Sequence, residues 1–186
     1  MNSTSVPNEA PRVTTCDTGE SLAPASVLFN RYRHHYGEPP DADGRTIGWL
    51  TEMVQSKMLT VYTAFVDSSA DALPVGLATG HAVPASLAMG QFWQVRDLYV
   101  LPGSRRRGVA VALIGAVREA ALAAGATRLS LVTEPDNRTA LDLYRGPGFR
   151  HVEGLASLSL DLAPPEVTEE VGNADSRRSD AGAFKG

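Results

Sequence analysis

Residues 99–114 read YVLPGSRRRGVAVALI. A β-branched and aromatic run ends at Leu101, Pro102 and Gly103 break it, Arg105, Arg106 and Arg107 fill the turn, and a helix opens at Gly108. From there to Ala124, Val109, Ala112, Leu113, Ala116, Val117, Ala120 and Ala121 recur on one helical face. The first N–H groups of such a helix lack intrahelical partners and lie at the positive end of its dipole, so the turn suits an anion such as a phosphate. Gly108 lets the backbone approach a ligand closely, and Ala110 keeps the first turn narrow. Read alone, the turn fits a solvated arginine cluster before an ordinary helix equally well.

Outward from this stretch the pattern is continuous. A short extended piece, 12–16, precedes Asp17, Thr18 and Ser21, any of which can cap a helix carrying Leu22, Ser26, Phe29, Asn30 and Tyr36. Ile47, Leu50, Val54 and Met58 predict a second helix from Arg45 to Lys57. LTVYTAF, LPVGLATGHAV and QFWQVRDLYV then read as successive antiparallel strands. After the long helix, Gly125 ends it, RLSLVT is a strand, 137–144 a short helix, and FRHV and LASLSLDL the last strands. A strand, a crossover helix and another strand form a right-handed unit that puts one parallel pair into an otherwise antiparallel sheet. The expected fold is α/β (α+β), with a mixed central sheet of about six to seven strands and about four helices.

The chain's 186 residues match one domain, expected at 11–162 between solvated tails 1–10 and 163–186. A net charge of −4 argues against binding a phosphate backbone, so no nucleic-acid partner is expected. Cys16 is the sole cysteine, which excludes an internal disulfide and a CxxC metal or redox pair. There is no signal-peptide pattern and no apolar run long enough to span a bilayer, so a cytoplasmic location without membrane attachment is expected.

Arg105, Gly108 and Ala110 match in register the pattern Gln or Arg, two residues, Gly, one residue, Gly or Ala. Asn137, Ala140, Leu143, Tyr144, Gly148 and Phe149 complete a second element, NxxAxxLYxxxGF. With these two elements at this spacing, residues 11–162 resemble the GNAT superfamily of acetyl-CoA-dependent N-acetyltransferases. The resemblance implies a parallel strand pair splayed to hold CoA, and an acetyl transfer from acetyl-CoA to an amine, without a metal. The backbone of Arg106, Arg107, Gly108, Val109, Ala110 and Val111 would cradle the pyrophosphate beside Arg105. The strand Leu98, Tyr99, Val100 would accompany the pantetheine arm, with one N–H facing the thioester oxygen. Asn137 would bond the CoA arm, and Tyr144 would be the general acid that protonates the departing thiolate. At Arg106 many members carry Gly.

The attacking amine must be neutral, so a base or a water chain is needed. Asp97 is the first choice, because RDLYV is similar to the (E/D)DL(F/Y)V of members near the diamine acetyltransferases, where acids on this strand face the amine. Arg96 replaces one such acid, which argues against a polyamine. Glu134 and His81 are weaker candidates. His34, His35 and Tyr36 end the first helix, and His34 and Tyr36 are taken with Asp97 as the acceptor side. A homodimer is compatible with this reading. The alternatives are a non-catalytic acyl-CoA-binding module of the same fold and an interaction protein using its acidic tail.

Overall fold

A computed structural model describes residues 10–41, 43–69, 71–154, 156–160 and 162. In chain order the elements are β1 (Arg12–Cys16), α1 (Gly19–His35), α2 (Arg45–Gln55), β2 (Thr60–Phe65), β3 (Gly76–Ala85), β4 (Gly90–Val100), α3 (Val109–Ala123), β5 (Leu129–Leu131) and α4 (Arg138–Arg145). The strands lie side by side in that order, antiparallel except for the parallel pair β4–β5. The architecture is therefore the expected mixed sheet, with five strands and four α-helices among the described residues. No described helix is long and apolar enough to cross a membrane.

The strands expected at FRHV and LASLSLDL are not formed among the described residues; Leu155 and Asp161 lie outside them. Leu158, Leu160 and Leu162 keep a period of two, yet all three are exposed. Periodicity decides only which side chains share a face, whereas a strand exists where a neighbouring ladder takes its backbone hydrogen bonds. The chain divides into two compact units, 1–149 and 150–186, and every helix and strand named above belongs to the first.

Within that unit, alternation along the strands sorts the core into two layers. Val61, Leu77 and Tyr99 face Leu22, Ala25, Leu28 and Phe29 of α1 and Leu50 of α2. Their neighbours Tyr62, Ala78 and Val100 face Val109, Leu113, Val117 and Ala121 of α3. Gly76 lets α3 come this near, since a Cβ there would stand 2.6 Å from Val109 Cγ1 and 3.0 Å from Leu113 Cδ1. Thr18 caps α1 and Ser21 returns the bond, so two of the three capping candidates act together as a capping box.

The β3–β4 ladder breaks register once. Thr79 pairs with Asp97 but Gly80 pairs with Val95, so Arg96 is an extra residue in β4. The bulge switches faces. Trp93 and Val95 before it and Val100 after it lie on the α3 side, and Asp97 joins Tyr99 on the α1 side.

Candidate active site

Among the described residues, β5 meets β4 only at Trp93, Gln94 and Val95, and β4 then runs on alone on that side through Val100. On the other side it stays paired with β3, where Leu101 donates to the Val75 carbonyl. Because alternate residues of a strand direct their backbone groups to the same neighbour, Leu98 and Val100 direct theirs away from β3, into the space beyond the end of β5. Part of that edge is used, since Arg105 Nε donates to the Val100 carbonyl at 3.2 Å. Tyr99, between them, is buried in the α1 layer.

The turn after β4 delivers the start of α3 to the same edge. Gly108 is its N-cap at φ 78°, and no side chain caps the helix. The first amides of α3 are thus left to another partner. Val109 is buried in the core, Val111 is exposed, and Arg106 and Arg107 are exposed at the mouth of the turn. Arg106 has φ 63°, the left-handed region that glycine enters freely and a residue with a Cβ does not. The turn therefore keeps the backbone shape of a glycine at this position while carrying a guanidinium.

Tyr144 lies in the last turn of α4, half-buried, with its ring centroid 5.8 Å from that of Phe149. Burial raises its pKa above the ordinary phenol value, and the charges of Tyr36 and Glu134 add to the rise. Asn137 caps α4 by accepting from the Ala140 amide at 3.1 Å. That bond uses its side-chain oxygen, so the amide N–H₂ keeps its donors.

Tyr36 links Tyr144 to Asp97. Its own pKa is raised by burial and then by the charges of Glu134 and Asp97. Asp97 accepts a hydrogen bond from Thr79 Oγ1 and lies near enough to Tyr32 for its charge to act on that phenol. Tyr32 is pushed well above the usual phenol range by burial, then by the Asp97 charge. His81 is pushed below the ordinary imidazole value by burial and by Arg96, against an opposing pull from Asp97.

The structure thus brings Asp97, Tyr36, Glu134 and Tyr144 into one neighbourhood and sets His81 beside Asp97 and Arg96. His34 is not part of it: it is exposed, two residues past Tyr32 and hence on the outer side of the last turn of α1. His35 instead stacks near Tyr99 and Tyr36, with centroids 6.1 and 5.5 Å away. Sequence reasoning missed Tyr32 and Thr79. Phe29, Tyr32 and Tyr36 follow helical spacing, a signal that marks the inward face of α1 but not a partner for Asp97.

A mixed sheet opened at its parallel pair, with an uncapped helix start at the opening, is the fold of the GNAT type. The chain belongs to the acetyltransferase (GNAT) family, whose match spans residues 27–149. It is 25% identical over 140 residues to the uncharacterized N-acetyltransferase YhfO of Bacillus subtilis (strain 168), covering 75% of this chain and 91% of the relative. A crystal structure of a probable acetyltransferase superposes with a TM-score of 0.74 at 25% identity, over 82% of this chain and 99% of the other. AAC(6')-Iy, solved with the bisubstrate analogue CoA-S-monomethyl-acetylneamine, superposes with a TM-score of 0.67 at 20% identity, over 82% of this chain and 99% of its own.

Proposed function

We propose that this chain uses acetyl-CoA to acetylate a primary amine of a small molecule or peptide, by direct attack within a ternary complex. One observation carries the reading: the unpaired edge of β4 ends at the uncapped start of α3. The amides from Arg106 to Val111, with the charges of Arg105, Arg106 and Arg107, suit a pyrophosphate. Leu98 and Val100 offer backbone groups to an amide-bearing arm, as a missing strand would. An N–H of that edge faces the thioester oxygen and stabilises its developing charge, a contribution of about 3 kcal/mol for one well-placed donor.

In the reaction, Asp97 takes a proton from the amine, directly or through water. The amine nitrogen bonds to the thioester carbon, the C–S bond breaks, and Tyr144 gives its proton to the departing thiolate. The CoA-linked bisubstrate analogue held by AAC(6')-Iy supports a site that accommodates both substrates at once.

Calorimetry with acetyl-CoA, followed by a screen of amines for CoA release, tests this function. Gly108→Asp is the control for the first step. A Cβ at Gly108 meets nothing within 4 Å, and aspartate tolerates the left-handed conformation better than most residues; the variant sets a negative charge against the pyrophosphate, and its fold is checked first by circular dichroism because φ at this position strains any side chain. Unchanged affinity in folded Gly108→Asp would sink the assignment of the turn. Binding without CoA release from any amine would favour a non-catalytic acyl-CoA-binding module.

A further inference from the structure

Thr79 is completely buried in β3, and its cross-strand partner is Asp97. A hydroxyl in such a position is destabilising unless it is hydrogen-bonded, and valine would fill the same volume at no polar cost. Here the hydroxyl donates to Asp97 Oδ2. The other buried threonine of the sheet, Thr63, spends its hydroxyl on Thr14 and Cys16, away from the site.

The pairing of Thr79 with Asp97 exists only because of the bulge. In a ladder that ran regularly through Arg96, Thr79 would face Arg96, and position 97 would share a face with Trp93 and Val95 under α3. The bulge sends the carboxylate to the α1 side, where Thr79 meets it from β3 and Tyr32 of α1 feels its charge.

We propose that Thr79 is the positioning residue for Asp97: its hydroxyl fixes the rotamer of the carboxylate against the sheet, so that the remaining lone pairs are aimed at the acceptor amine. This rests on the reading of Asp97 as the base. The other groups facing Asp97 are Tyr32 and Tyr36 from α1, His81 from β3 and the adjacent Arg96, with Glu134 reaching the cluster through Tyr36. None of them is altered in identity when the Thr79 hydroxyl is removed, so a loss in Thr79→Val that Thr79→Ser restores reports that hydroxyl.

The test uses the full chain, acetyl-CoA and an amine found by CoA release, and compares kcat and KM for Thr79→Val, Thr79→Ser and Asp97→Asn. Thr79→Val is expected to lower kcat about 10-fold with the KM for acetyl-CoA unchanged, because only the aim of the base is lost. Thr79→Ser keeps the hydroxyl and should restore kcat. If Thr79→Val retains the wild-type kcat while Asp97→Asn loses it, the positioning role is overturned and the base reading stands. If Asp97→Asn keeps the wild-type rate, both are overturned. Should Thr79→Val not fold, Thr79→Ala is measured in its place with the same outcomes.

Discussion

Tyr144 holds its hydroxyl in a half-buried position where burial, then Tyr36 and Glu134, raise its pKa. A raised value keeps the phenol protonated through neutral and mildly alkaline pH, the state a general acid needs. Tyr144→Phe preserves the ring contact with Phe149 and removes only the hydroxyl. It is expected to keep the fold and acetyl-CoA affinity while losing ~10²-fold in kcat. Wild-type turnover, measured where chemistry limits the rate, would make Tyr144 a packing residue. Tyr144 was legible as a candidate in the sequence because NxxAxxLYxxxGF is local, and α4 places it seven residues after its cap without help from distant segments. Asp97 was named as a candidate base through the likeness of RDLYV alone. Its partners Thr79 and Tyr32 come from two other elements and leave no local signature.

At the scale of elements, α2 shows how a helix start is made without a residue at the usual capping position. Gly44 is the N-cap, in left-handed conformation and with no side-chain bond. Asp41 acts from outside, accepting from the Arg45 amide at 3.1 Å and the Thr46 amide at 2.7 Å. These bonds, those of Thr46 foremost, lower its pKa from 3.8 to about 2. A depressed carboxylate stabilises the folded state fully above its unfolded value, and that contribution is lost as pH falls through the folded one. Asp41→Ala is therefore expected to lower Tm near neutral pH, with the difference from wild type closing between 3.8 and about 2. Thermal unfolding across that range checks it, and a gap that persists at the acid end would mean the ionised cap is not what α2 relies on.

At the scale of the whole molecule, the turn proposed to hold the phosphates is supported by packing on the opposite side of the helix it starts. Val109, the first residue of α3, sits where a Cβ at Gly76 would be 2.6 Å away, so sheet and helix share one close contact directly behind the turn. Gly76→Ala must push α3 outward or strain Val109 and Leu113, an overpacking cost of about 1–3 kcal/mol. The same shift would move the amides of the turn. Lower stability and weaker acetyl-CoA binding are thus expected together, by chemical denaturation and calorimetry; lost stability with unchanged affinity would separate the two.

The sequence by itself determined the local pieces: the strand, arginine turn and helix of 99–114, the apolar stripe of α3, and the cap and tyrosine of α4. Each follows from residues within a few positions of one another, where periodicity, dihedral preference and hydrogen bonds to near neighbours act directly. The tertiary structure alone decided that β4 gains an extra residue at Arg96, that Asp97 consequently faces Thr79, that His35 and not His34 joins the aromatic cluster, and that, among the described residues, no strand forms at the alternating Leu158 and Leu160. Those outcomes depend on which distant backbone offers a ladder and which buried hydroxyl finds a partner, and neither pairing is written in the period of a single segment.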